Sequence, residues 1–90
     1  MDYEWDEAKA AANLEKHGVS FEEATSVFAD PLYIDFYDPA NSAEEHRYLI
    51  VGTSRAGRLL IVSYTERDDD IRLISARELT SAERKAYEEG

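Results

Sequence analysis

The sequence predicts an α+β domain in which a helical hairpin and a C-terminal helix pack on a mostly antiparallel sheet. Its ninety residues are enough for one hydrophobic core and too few for two, so residues 1–90 are expected to form a single domain. Helical start and stop signals occur twice before residue 31, and beyond it the hydrophobic period changes to two. Short turns join the strands, which leaves no crossover for a parallel sheet.

The first helix is predicted from Asp6 to His17, after a short strand at residues 3–5. Asp6 is suited to cap the N-terminus, and Gly18 can adopt the left-handed conformation that ends a helix. Lys16 and His17 place cations at the negative end of the helix dipole. The spacing alone therefore explains His17 as a helix-ending residue.

The helical period also predicts which sides of this helix are buried. One side carries the small side chains of Ala8, Ala11 and Ala12, which are expected to permit close packing against the rest of the domain. Polar side chains at helical spacing are expected to form an exposed stripe, and these are Lys9, Asn13 and Lys16.

A second, short helix is predicted after a link of about two residues. Ser20 and Glu23 are spaced as a capping box, and hydrophobic residues follow at helical intervals from Phe21 to Phe28. Pro31 ends the helix, because proline cannot continue the hydrogen-bond ladder. The short link makes the two helices a hairpin.

Four further strands and a last helix are predicted beyond Pro31. The strand segments alternate and are rich in β-branched and aromatic residues; they read LYIDFYD, HRYLIVGTS, RLLIVSYTE and DIRLISARE. A glycine-containing turn at residues 55–57 and a polar turn at 66–70 link the last three strands into a meander. Thr80 and Glu83 form a capping box that opens a weakly amphipathic helix through Glu89.

The composition narrows the class of function. Twenty acids against ten bases give a formal charge of −10, which disfavours a generic polyanion binder. There is no cysteine, so disulfides and thiolate metal sites are excluded. No apolar run reaches the roughly 20 residues of a membrane helix, and the acidic N-terminus does not resemble a signal peptide. We expect a cytoplasmic protein without a membrane partner.

Arginines in the strands are the candidate functional residues. Six arginines and only four acids lie between residues 47 and 77. Alternation places Arg47 on a face with Leu49 and Val51, and it places Arg77 on a face with Leu73 and Ile71 and with Ser75, whereas Arg72 points the other way. A guanidinium at the end of an apolar row is suited to a phosphate or a carboxylate ligand, although the residues alone favour pairing with one of the twenty acids.

The two histidines have both structural and functional interpretations. Histidine is the residue type whose ordinary pKa lies near neutrality, so His17 is a candidate general acid or base as well as a helix-ending cation. His46 stands alone at the end of a polar loop, and two distant histidines make a metal site an unattractive hypothesis. Trp5 and the tyrosines are expected to be packing residues.

Five motifs in order resemble the BrnT family of toxins from bacterial type II toxin-antitoxin systems. They are, in chain order, Trp5-Asp6 followed by a lysine and an asparagine in the first helix, the hairpin sequence KHGVSFEEA, the Asp-Pro pair that ends the second helix, EEHRY before a strand, and ISAR followed by ERKAY. The resemblance covers nearly the whole chain. It implies a RelE-like fold and a ribonuclease that cleaves RNA without a metal ion or other cofactor and arrests translation.

The resemblance also implies partners and site residues. The expected partner is a BrnA-like antitoxin, through which alone the complex would contact DNA. Arg47 and Arg77 are assigned to phosphate binding and transition-state stabilisation, and His17 with Lys16 to proton transfer or phosphate binding. Lys9 and Arg72 are expected to be supporting substrate-binding cations.

Two alternative functions fit the sequence. The first is a catalytically silent BrnT-like module that only docks an antitoxin or another protein, and the acidity of the chain favours it. The second is a metal-dependent hydrolase, for which the sequence offers little support. In either toxin hypothesis the free protein is expected to expose an apolar strip to its partner.

Overall fold

A five-stranded sheet forms the centre of the molecule in the computed structural model, which describes residues 2–90. The strands are β1 (Tyr3–Glu4), β2 (Ile34–Tyr37), β3 (Arg47–Thr53), β4 (Leu59–Arg67) and β5 (Asp70–Glu78). Their spatial order is β1-β5-β4-β3-β2, with β1 parallel to β5 and every other pair antiparallel. The predicted mostly antiparallel sheet is confirmed.

Three α-helices accompany the sheet, so the α+β class is also confirmed. They are α1 (Glu7–His17), α2 (Phe21–Thr25) and α3 (Ser81–Glu89), and two single-turn 3-10 helices cover Ser26–Ala29 and Pro39–Asn41. Between residues 2 and 90, none of the helices has the length and apolarity needed to cross a membrane.

The predicted ends of α1 are confirmed, but its predicted faces are wrong. The Asp6 carboxylate accepts hydrogen bonds from the backbone N–H groups of Ala8 and Lys9, and Gly18 has a φ of 69°. The three predicted packing alanines are exposed, whereas Asn13 is buried with 7% of its surface accessible. Hydrogen bonding explains the burial, because the strand edge beside α1 offers backbone groups that only an amide can satisfy.

Asn13 joins α1 to β5. Its Nδ2 donates to the carbonyl oxygens of Ala76 at 2.8 Å and Val19 at 3.0 Å, and its Oδ1 accepts from the Ala76 N–H at 3.1 Å. Because β1 pairs only with Ile71 and Arg72, the Asn13 amide takes the place of a strand further along the same edge.

The capping box predicted for α2 is only half formed. Ser20 Oγ accepts from the Glu23 N–H at 3.0 Å, as expected. The Glu23 carboxylate turns instead to Arg58 and Ser54, accepting from Arg58 Nε at 2.9 Å and from Ser54 Oγ at 2.7 Å. The Arg58 guanidinium holds the pKa of Glu23 below its usual value. This ion pair ties the helical hairpin to the turn between β3 and β4.

The core lies between the sheet and the helical hairpin. Phe21, Val27 and Ile50 are almost wholly inaccessible, and Trp5 packs edge-on against Phe21 with ring centroids 5.8 Å apart. The prediction of Trp5 as a packing residue is therefore confirmed. Sheet residues in this core share the face that points towards α1 and α2, which leaves the opposite face, called the outer face below, for other contacts.

The last helix borders the outer face and is only lightly attached to it. Both hydrogen bonds of the predicted capping box between Thr80 and Glu83 are present. No residue of α3 is buried. The hydroxyl of Tyr87 donates to the Leu32 carbonyl at 3.2 Å, which ties α3 to the segment before β2.

Candidate functional site

A β-bulge in β5 decides which side chains reach the outer face. Ser63 of β4 is opposite Ser75, and the next residue, Tyr64, is opposite Leu73, so Ile74 is an additional residue in β5. Side chains alternate between the two faces of a strand, so one extra residue makes those after the bulge point to the face opposite the one that strict alternation predicts.

The bulge corrects the predicted faces of the β5 arginines. Ile71 and Leu73 are buried on the helical side, whereas Arg77 follows the bulge and points to the outer face. Arg77 therefore does not share a face with these two residues, although it does share one with Ser75. Arg72 does not point away from Arg77; both lie on the outer face, because the bulge separates them.

Arg47 lies on the same outer face, in a different row. It is opposite Thr65, which is in turn opposite Arg72, so the Cα atoms of Arg47 and Arg72 are about 10 Å apart at ordinary strand spacing. Arg77 is opposite Ile61, which is opposite Val51, and Val51 is four residues beyond Arg47 in β3. Arg77 therefore lies about 13 Å from the row of Arg47 along the strand direction. The three arginines share a face without converging on one point.

Arg47 is the strand arginine that keeps a free guanidinium. Within residues 2–90 its side chain has no carboxylate within 4.0 Å, and its backbone N–H donates to Ser42 Oγ at 2.9 Å. It lines an open surface hollow of about 570 Å³ formed with residues 40–45 and Arg67. Two acids line the same hollow: Glu45 lies 3.4 Å from Arg67, whereas Glu44 has no ion pair within 4.0 Å among residues 2–90.

A tyrosine and a histidine pack together at the same end of the sheet as Arg47, on the opposite, helical face. The Tyr37 hydroxyl and His46 Nδ1 are 3.1 Å apart, and the two rings are 5.6 Å apart. Tyr37 also contacts Tyr48, which stacks on Tyr64 at 5.6 Å. His46 is exposed. His46 is not isolated, contrary to the prediction, because the register of β2 on β3 brings residue 37 opposite residue 48 and places Tyr37 against His46.

Arg77 is held by α3. Its NH1 and NH2 atoms donate to the two carboxylate oxygens of Glu83 at 2.7 and 2.9 Å, and NH1 also donates to the Glu78 carbonyl at 3.2 Å. The Arg77 guanidinium, with help from the Thr80 N–H, lowers the pKa of Glu83 to about 2. Arg77 lines a second hollow, of about 410 Å³, between α3 and the 3-10 turn at Asn41. A ligand phosphate would have to displace Glu83 to use this fork.

The remaining predicted site residues lie elsewhere. Arg72 is 3.7 Å from the carboxylate of Glu4 in β1. His17 ends α1 on the helical side of the sheet, and Lys9 and Lys16 are exposed on the same helix. The structure therefore groups His17 with α1 and not with the outer-face arginines.

Most strand arginines are neutralised by carboxylates. In the part of the chain from residue 2 to residue 90, ion pairs within 4.0 Å involve Arg58, Arg67, Arg72 and Arg77. Across the same residues, no three His, Cys, Asp or Glu side chains are grouped in a way that could hold a metal ion. The group that remains free for chemistry on the outer face is Arg47 in its hollow, with the exposed His46 next to it in the chain.

Comparisons with known proteins identify relatives of this chain. A family model described as the ribonuclease toxin BrnT of type II toxin-antitoxin systems matches residues 5–83. A crystal structure of the Brucella abortus ribonuclease toxin BrnT is similar with a TM-score of 0.66 and 21% sequence identity, covering 90% of this chain and 99% of that one. No curated protein sequence matches. At 21% identity the structural similarity supports the fold only, whereas the family model supports membership of the family.

Proposed function

This chain belongs to the BrnT family of ribonuclease toxins of type II toxin-antitoxin systems, and from that premise we propose that it cleaves RNA at Arg47 without a metal ion. The free guanidinium of Arg47 in an open hollow carries the proposal. A guanidinium fork matches two phosphate oxygens and stabilises the charge that develops on them during transfer.

The reaction we propose uses the 2′-hydroxyl of the substrate as the nucleophile. Its oxygen attacks the adjacent phosphorus while its proton passes to a base, and the 5′-oxygen leaves as it takes up a proton. The products are a 2′,3′-cyclic phosphate and a 5′-hydroxyl, so atoms and charge balance without a further reactant. Arg47 would orient the phosphate and stabilise the pentacoordinate transition state.

His46 is our candidate for proton transfer. It is exposed and lies next to Arg47 in the chain. In this structure its ring packs against Tyr37 on the helical side, with Nδ1 3.1 Å from the Tyr37 hydroxyl, so the ring would have to turn around the end of the sheet to reach a phosphate held by Arg47. For His17 we propose the helix-ending role, because it ends α1 and is not adjacent to Arg47.

Arg77 is proposed as a second phosphate contact that competes with Glu83. The bidentate pair occupies the donors that a phosphate would need. If Arg77 contributes, Glu83→Gln should raise cleavage by weakening the competing acceptor, and Arg77→Ala should lower it. If neither change alters the rate, Arg77 is a structural residue that anchors α3.

The test of the proposed site is cleavage of RNA by purified protein in the presence of EDTA. Arg47→Ala is expected to lower kcat/KM by about 10²–10³-fold, the usual effect of removing one preorganised donor. Arg55→Ala is the matched control, because Arg55 is exposed and, within residues 2–90, has no ion pair within 4.0 Å. Equal losses in the two variants would reject Arg47 as a catalytic residue. Loss of wild-type cleavage in EDTA would reject the metal-free mechanism.

A second comparison separates the two histidines. His46→Gln is expected to reduce cleavage, whereas His17→Gln is expected to leave it unchanged. The opposite outcome would restore the sequence-based assignment of His17.

The cellular consequences follow from the same proposal. The toxin is proposed to act in the cytoplasm, to inhibit translation by cutting RNA, and to be neutralised by a BrnA-like antitoxin that carries any DNA contact. Induced expression should stop incorporation of labelled amino acids, and co-expression of the adjacent reading frame should restore it. Growth arrest by the Arg47→Ala variant at the wild-type level would contradict the link to cleavage.

A catalytically silent docking module is the second candidate. The observation that favours it is the neutralisation of Arg58, Arg67, Arg72 and Arg77 by carboxylates, in a chain of charge −10. Such a protein would leave RNA intact at every salt concentration and still bind an antitoxin.

A further inference from the structure

Among residues 2–90, most of the exposed large apolar side chains lie around β2. Leu32, Ile34 and Phe36 have 77%, 50% and 46% of their surface accessible, and Tyr33 and Tyr37 are similarly exposed. Ile34 and Phe36 lie on the outer face, where they line an open apolar groove of about 270 Å³ with Val51 and Tyr87. A contiguous patch of this kind on a small protein indicates a binding surface.

Within residues 2–90, no strand pairs with the outer edge of β2. Asp38 N–H donates to the Arg47 carbonyl at 2.9 Å, and antiparallel alternation therefore directs the N–H and C=O groups of Ile34 and Phe36 towards β3. The corresponding groups of Asp35 and Tyr37 face away from the sheet. This strand has four residues with one charged side chain, Asp35, and no lysine, proline or bulge interrupts it.

Charge specifies the kind of partner that fits this edge. Residues 18–46, which include β2, contain seven acids and neither lysine nor arginine. A second copy of this chain would bring its own acidic segment to the edge, and Asp35 of each copy would lie in the shared ladder. A partner strand with basic side chains would instead be attracted.

We propose that the antitoxin adds an extended segment to the free edge of β2, with apolar side chains in the groove below α3 and lysines or arginines on the other face beside Asp35. The antitoxin as the occupant rests on the proposed function, whereas the strand pairing rests on the contacts described here. The backbone of Asp35 and Tyr37 would supply the hydrogen bonds, and the groove would select alternate side chains.

The first experiment measures binding of a fluorescein-labelled peptide in which lysine alternates with valine. Ile34→Lys is expected to weaken binding at least about tenfold, or about 1.4 kcal/mol, because it places a cation in the apolar contact. Leu14→Lys is the matched control, since Leu14 is 51% exposed on α1, away from β2. Equal weakening by both variants, or equal binding of a peptide with glutamate in place of lysine, would overturn the proposal.

Hydrogen exchange tests the strand pairing directly. Peptide binding should slow exchange of the Asp35 and Tyr37 amides and leave those of Ile34 and Phe36 nearly unchanged, because β3 already protects them. Unchanged exchange at Asp35 and Tyr37 in the bound state would reject strand addition. A dimer in sedimentation that Ile34→Lys dissociates would show that a second copy occupies the edge, which would also overturn the proposal.

The antitoxin assignment is tested with the protein encoded in the adjacent reading frame. It should bind wild type and Leu14→Lys and fail to bind Ile34→Lys, while all three proteins cleave RNA at the same rate. Wild-type protein without ribonuclease activity would end the proposed function and leave the docking surface standing. Equal antitoxin binding by all three would end the docking proposal and leave the ribonuclease standing.

Discussion

Replacing Asn13 by alanine is expected to destabilise the protein by about 3 kcal/mol. Three backbone groups would lose their partner, namely the Val19 carbonyl and both the carbonyl and N–H of Ala76. Each such hydrogen bond contributes about 1 kcal/mol net, and burial of the orphaned groups prevents water from replacing them fully. In a domain of this size the loss corresponds to a decrease in Tm of about 15 °C.

Urea unfolding followed by circular dichroism measures this change. Glu15→Ala is the control in the same helix, because Glu15 is exposed and alanine favours helix; its effect should stay within about 0.5 kcal/mol. A loss below about 1 kcal/mol in Asn13→Ala would show that the amide is not the link between α1 and β5.

Asn13→Asp gives a second test of the same reasoning. The carboxylate keeps the acceptor for the Ala76 N–H, but it faces two carbonyl oxygens where the amide donated. At neutral pH we therefore expect a larger loss than for alanine, since a buried charge is left beside acceptors. Greater stability than the alanine variant at pH 7 would contradict the assigned geometry.

The remaining predictions concern a close backbone contact and an ion pair. Gly52→Ala should cost about 2 kcal/mol in urea unfolding, because its Cβ would lie 3.0 Å from Asp30 Oδ2; Gly18→Ala, which meets open space but has a φ of 69°, should cost about 1 kcal/mol. Glu83 has a pKa lowered to about 2 by Arg77, so its contribution to stability is present above its ordinary value of 4.5 and is lost as pH falls towards 2. The Tm difference between wild type and Glu83→Gln should therefore shrink between pH 5 and pH 2.

Contradicting results are simple to recognise. A larger cost for Gly18→Ala than for Gly52→Ala would show that strain in the left-handed turn outweighs the steric contact. A Tm difference for Glu83→Gln that grows on acidification would mean that another group controls the attachment of α3.

Local signals in the sequence determined the element boundaries and the fold class. Asp6 and Gly18 delimit α1, Thr80 and Glu83 open α3, and the alternation beyond Pro31 identifies the strands. These signals are readable because caps, turns and periodicity depend on residues within a few positions of one another. The ordered motifs also led to the family, which the family model confirms.

Contacts between distant residues decided the candidate site. Asn13 and Ala76 are 63 positions apart, and the Tyr37 and His46 pair depends on the register of β2 on β3. The bulge at Ile74 adds one residue without any composition signal, yet it reverses the face of Arg77. Whether an arginine is free or paired depends on which carboxylate the folded chain brings within reach. That choice is a property of three-dimensional packing, because twenty acids and seven arginines allow many pairings that local sequence does not distinguish.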